Sequence, residues 1–151
     1  MNAGLADTYP DDAIFFTKKH PEFGCFSNFV GGAEQLFQSA KFAHHPEYAA
    51  KILAEKSPAK AKRMGGKKGE VKLTPAQITH WNNTRVDVMR SVIRAKFAKG
   101  TRYADVLLST DAREIVEKSF FDGFWGCGRS GKGANMLGKL LMERRQELVC
   151  E

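Results

Sequence analysis

A chain of 151 residues, 42% hydrophobic and 27% charged, is long enough to bury a core without staples and has the composition of an ordinary globular domain. Its formal net charge of +7 favours anionic partners, and no apolar run approaches the roughly 20 residues that a membrane span needs. The first residues, Met1 to Asp12, have neither a basic nor an apolar leader region and read as an N-terminal tail, with residues 13–151 forming one domain. Three cysteines (Cys25, Cys127, Cys150) with no CxxC pairing predict a reduced, cytoplasmic setting and small space-filling roles.

In chain order, Ala13 to Phe16 is short, apolar and β-prone, and reads as a strand. Phe23 to Phe29 alternates aromatic with small or polar residues, the pattern of a half-buried strand or strand-like turn. Gly31-Gly32 breaks the chain, and a helix begins near Ala33 whose apolar face is Leu36, Phe37, Ala40 and Ala43. Pro46 opens a second helix with Tyr48, Ile52 and Leu53. Ser57-Pro58 and Thr74-Pro75 are further helix starts, with a Gly- and Lys-rich loop between them.

The strongest helical pattern runs from about Thr84 to Lys99, with Val86, Met89, Ile93 and Phe97 as its stripe and Gly100 as a C′ glycine. A short helix follows through Tyr103 to Leu108, then a candidate strand over Ile115 to Phe120. A last helix from about Asn135 to Leu148 buries Leu137, Leu140, Leu141 and Leu148. Many helices with a few short strands predict an α+β, mainly helical single domain.

Three segments look unlike plain scaffold. In Gly24 to Phe29 the aromatics offer stacking planes for a heterocyclic base, with Ser27 and Asn28 to orient it; alternatively this is a core strand ending in a polar turn. In Glu34 to Phe42, Glu34 sits near a helix start, and Gln38 and Lys41 follow on the same face. That is the position of a cleft-lining acid, or of an ordinary exposed first-turn Glu.

The third segment, Phe121 to Gly133, sets glycines among Asp122, Trp125, Arg129 and Lys132 and leads into the last helix. Such a loop is suited to bringing backbone N–H groups to phosphate, or is a structural turn. It is neither a Walker A loop nor a dinucleotide fingerprint, because the residues and glycine spacing differ. The basic run Lys56, Lys60, Lys62, Arg63, Lys67, Lys68 and Lys72 reads as a solvated face, a phosphate attractor or a nucleic-acid contact. The histidines (His20, His44, His45, His80) have no ligand spacing, so neither a metal nor another cofactor is expected.

Taken in order, these blocks resemble the YbiA/NADAR family, from Phe15 to about Leu148. The resemblance rests on FSNF (Phe26 to Phe29), EQLFQSAKF (Glu34 to Phe42), VMRSVIRAKF (Val88 to Phe97) and DGFWGCGRSGKGANMLGKLLMERR (Asp122 to Arg145). Only Val30 to Ala33 separate FSNF from the Glu helix, where the family usually has a longer insertion.

The resemblance implies a YbiA-like fold and an N-glycosidase acting on a phosphorylated ribose. The substrate would be ADP-ribose on guanine or a phosphoribosylamino intermediate of riboflavin synthesis. It implies Glu34 as acid or base, with Asp122 as its partner. Ser27, Asn28, Phe29, Lys41, Trp81, Trp125, Gly126 and Asn135 would bind substrate. Two other readings remain open from the sequence: a non-catalytic ADP-ribose or nucleotide reader, and a basic nucleic-acid-binding module.

Overall fold

The computed structural model describes residues 3–151. As expected, the architecture is α+β and mainly helical, with a single two-stranded sheet among the described residues. The chain forms two compact units: residues up to 27 together with 93–151, and residues 28–92.

The first unit is built on a short parallel pair drawn from opposite ends of the sequence. Strand β1 (Ile14–Phe16) pairs with β2 (Ile115–Glu117), Ile14 opposite Ile115 and Phe16 opposite Glu117. Of the stretch expected as a tail, residues 1 and 2 lie outside the described residues. Residues Ala3–Thr8 form helix α1, whose Leu5 packs on Val116 and Cys127.

The FGCF segment is a single 3-10 turn over Gly24–Phe26, not a strand, since a side chain at position 24 would overlap the Lys18 carbonyl. Phe23 and Phe26 stack on each other, and Phe26 meets Phe16 and Phe97 edge-on. These two aromatics are therefore core, spent on one another, and offer no plane to a base.

Helix α7 (Met136–Cys150) lies against β2, and Leu137, Leu140 and Leu141 are buried beneath it. Gly138 makes that approach possible, because a Cβ there would overlap the Ile115 carbonyl and the Asn135 carboxamide.

The second unit packs three short helices: α2 (Ala33–Ala40), α3 (Pro46–Ala54) and α4 (Pro58–Met64). Ser57 caps α4 by accepting from Lys60 N, as its Ser-Pro pair predicts. Phe42, Tyr48, Ile52 and Ala61 form its core, and the Tyr48 hydroxyl donates to the Met64 carbonyl at 2.6 Å.

Helix α5 (Pro75–Lys96) starts at the expected Thr74-Pro75 signal, where Thr74 and Gln77 cap each other's backbone, and runs without a break into the segment expected as a separate helix from about Thr84. It also stops short of Lys99, and Gly100 (φ +83°) serves the turn into α6 (Arg102–Leu108). The first turns of α5 carry mostly exposed polar residues, so hydrophobic periodicity had little to register.

Lys96, in the first unit, is largely enclosed, its ammonium donating to the Ser27 carbonyl at 2.9 Å beside the rings of Phe97 and Tyr103. Burial pushes its pKa down to about 8. Between about pH 8 and the unfolded value near 10.5, the unfolded chain holds a proton that the folded chain has lost, so folding gains stability as pH rises through that window. Lys96→Met should therefore be the more stable form at pH 7, by roughly 2–3 kcal/mol at most, with the gap closing towards pH 10.5. Paired urea melts across pH check this, and a gap independent of pH contradicts it.

Candidate active site

The buried face of α2 is polar. Glu34, Gln35 and Gln38 are all turned inward with Ala33 and Phe37, while Leu36, expected on the apolar face, is 42% exposed. Ala43, placed on the same face from sequence, is also exposed. An inward carboxylate beside two inward carboxamides runs against the hydrophobic rule for a helix of this length. The sequence's ordinary alternative, an exposed first-turn Glu, does not hold, since Glu34 is only 6% exposed.

Local structure holds Glu34 in place. Gly32, in the left-handed region (φ +80°), starts the helix, and Glu34 N donates to the Asn28 carbonyl at 2.9 Å. One turn on, Gln38 Nε2 donates to Glu34 Oε1 at 3.0 Å. Gln38 Oε1 is buried with no hydrogen-bond partner and lies against Gly65, where any side chain would overlap it. The E-x-x-x-Q spacing thus fixes one carboxylate oxygen, and a glycine on the following segment accommodates the fixing residue. The Asn28 side chain donates weakly to the Met89 sulfur at 3.5 Å, and the Phe29 ring carries the Lys62 ammonium at 5.8 Å.

Lys41 follows α2, with its ammonium 6.0 Å from the centre of the Trp81 ring. Burial and the nearby positive Arg85 both hold its pKa below the usual lysine range. Trp81 is buried and tilted against Phe37, with ring centres 4.9 Å apart. Trp81 and Lys41 both line two cavities in this unit, of roughly 470 and 240 Å³.

The Asp122 to Asn135 loop, in the first unit, is hydrogen-bonded throughout. Asp122 Oδ1 accepts from Phe124 N at 2.9 Å and Trp125 N at 2.8 Å, an Asx turn that sets the half-buried Trp125 edge-on to Phe124. Carbonyls of Gly126, Phe124 and Trp125 then accept from Asn135 N, Met136 N and Leu137 N at 2.9–3.0 Å. This corrects an expectation from the sequence. The amides that open α7 are already taken by the loop's own carbonyls, so they are not a phosphate cradle.

Asn135 is likewise engaged. Its Oδ1 accepts from Glu117 N at 3.0 Å and its Nδ2 donates to the Ile115 carbonyl at 2.9 Å, with the residue 2% exposed and in the left-handed region. A carboxamide so occupied ties β2 to α7 and has little left for a sugar-phosphate. Gly126 is buried against Ser119 and the Glu117 carbonyl, so it too serves packing.

Of the residues singled out from sequence, Asn28, Phe29, Glu34, Lys41 and Trp81 fall in the second unit, and Ser27, Asp122, Trp125, Gly126 and Asn135 in the first. Sequence reasoning saw Gln38 on the right face but missed its pairing with Glu34, and it missed Gly65. The signal for both was the polar residue one helical turn after Glu34, which requires space on its far side. Among the described residues no three His, Cys, Asp or Glu side chains gather as a metal would require, and no helix is long and apolar enough to cross a membrane.

Residues 14–149 match the NADAR domain model. The N-glycosidase YbiA of Escherichia coli is 36% identical over 93% of this chain and 91% of its own. A riboflavin biosynthesis protein of Zea mays, PYRR, is 34% identical over 93% of this chain and 26% of its own length. The solution structure of the E. coli protein YbiA superposes with a TM-score of 0.77 at 32% identity, covering 97% of this chain and 92% of that one. Matched by the family model over residues 14–149 and similar to these proteins in both sequence and fold, the chain belongs to the NADAR domain family.

Proposed function

We propose that this N-glycosidase hydrolyses the bond between a base and C1 of a phosphorylated ribose in the cytoplasm, with Glu34 handling the proton. One observation carries the reading: a carboxylate enclosed in the first turn of α2, one oxygen fixed by Gln38.

In the reaction the C1–N bond breaks and its electron pair stays on the base nitrogen, which takes up a proton. A water oxygen bonds to C1 and loses a proton. The transition state is oxocarbenium-like, so a nearby carboxylate serves both the charge at C1 and the proton transfer. Asp122, whose Oδ1 is occupied by the Asx turn, has its second oxygen for an orienting or electrostatic role. Asn28, Phe29 and Lys41 are assigned to the sugar-phosphate, and the half-buried Trp125 to the base.

The relatives named as riboflavin biosynthesis proteins support a phosphoribosylamino substrate, and ADP-ribose on guanine is the second candidate, implied by the family resemblance alone. The test is to incubate the protein in ¹⁸O water with each substrate and follow base and sugar by mass spectrometry. Free base with ¹⁸O at C1 of the sugar is expected from one of them. Binding of both without release of base would replace hydrolysis by a reader function.

Trp125→Ala should weaken substrate binding by about one to two orders of magnitude if the ring stacks on the base. Affinity by titration is measured beside the melting temperature. Normal affinity with a melting point far below wild type would assign Trp125 to the scaffold.

A further inference from the structure

The smaller cavity of the second unit, roughly 240 Å³, has an unusual charge pattern. Lys41, Lys67 and Lys72 reach its lining, together with Gly65 and Gly66 and an apolar wall that includes Leu73 and Trp81. No carboxylate lines it among the described residues. The one acid of the loop, Glu70, is drawn away and paired with Lys51 at 2.8 Å. Lys72 folds back so that its ammonium donates to the Lys67 carbonyl, on the lining that both residues share. Lys41 adds a third cation to the lining, its pKa held below the usual lysine range first by burial and then by the nearby Arg85.

The cavity also connects to the carboxylate through a fixed chain of contacts. Gly65 of its wall abuts the Gln38 carboxamide, and Gln38 in turn holds Glu34. A small anion here would neutralise the lysines, with the Gly65-Gly66 backbone open to close approach.

We propose that this cavity seats the phosphate of the ribosyl substrate, with Lys67 and Lys72 as its ligands and Lys41 facing the sugar. The inference rests on the glycosidase reading above and names where that substrate's anionic end binds. A phosphomonoester and the diphosphate of ADP-ribose share this chemistry.

The two are separated by titrating wild type, Lys67→Ala/Lys72→Ala, Lys56→Ala/Lys68→Ala and Glu34→Gln with ribose 5-phosphate, ADP-ribose and ribose. Lys67 and Lys72 are exposed, so their truncation leaves the core intact. The expected result is that ribose 5-phosphate, ADP-ribose or both bind wild type, and that the Lys67/Lys72 double variant weakens that binding at least tenfold. The Lys56/Lys68 variant and Glu34→Gln should bind as wild type does. A loss for ribose 5-phosphate alone assigns a monoester, and a loss for ADP-ribose alone assigns a diphosphate.

The proposal fails if the Lys67/Lys72 variant binds both ligands as wild type does, if wild type binds neither, or if ribose binds as tightly as its phosphate. None of these outcomes touches the glycosidase reading, which stands or falls on release of base and on the turnover of Glu34→Gln.

Discussion

Glu34→Gln should fold, bind substrate and lose about two to four orders of magnitude in turnover, or roughly 3–5 kcal/mol of transition-state stabilisation. The substitution is close to isosteric, and an amide oxygen still accepts from Gln38 Nε2, so the 3.0 Å contact need not be lost. What disappears is the group proposed to take or give the proton. The signature is a fall in kcat with KM and melting temperature near wild type. Glu34→Ala makes the contrast: it orphans Gln38 Nε2 in a site where Oε1 already lacks a partner, and should lose stability as well. Near-wild-type turnover in Glu34→Gln would remove Glu34 from the chemistry.

Asn135→Ala should act on the fold. The side chain satisfies Glu117 N and the Ile115 carbonyl at once, in a residue 2% exposed, and truncation leaves both strand groups without those partners. Each buried orphan costs about 1–3 kcal/mol, giving a total of about 2–6 kcal/mol for the two. Alanine also tolerates the left-handed backbone at this position (φ +49°) less well than asparagine. For a domain of this size the melting point should fall by roughly 5–15 °C. Substrate affinity of the remaining folded protein should be unchanged. A variant that melts normally and binds weakly would return Asn135 to the list of substrate ligands.

Those two residues show what the sequence could and could not disclose. Glu34 was legible because helix spacing fixes which side chains share a face, and Gln38 is one turn away. Its burial was not legible, since the same face also carries apolar residues and periodicity prefers to bury those. Asn135 looked like a ligand because a Gly-rich loop beside a helix start so often binds anions. That inference assumed free amides, and whether amides are free depends on where carbonyls ten residues earlier point. The short strands were placed well by their β-branched and aromatic runs. The start of α5 was legible in its Thr74-Pro75 signal, but its unbroken run past Thr84 was not, because its first turns bury little and leave no hydrophobic stripe.

The parallel pairing of Ile14 with Ile115 sets a schedule for synthesis. As the chain leaves the ribosome, β1 emerges early and has no strand to pair with until some hundred residues more have been made. The second unit, residues 28–92, is continuous in sequence and complete well before then. It can condense while the first unit still waits, and the closing of the long loop between β1 and β2 becomes the late, slow event. Nascent chains arrested once Val92 has cleared the exit tunnel should therefore already protect α2–α4 from protease. Protection of the first unit should appear only once β2 and the α7 segment that anchors it have been released.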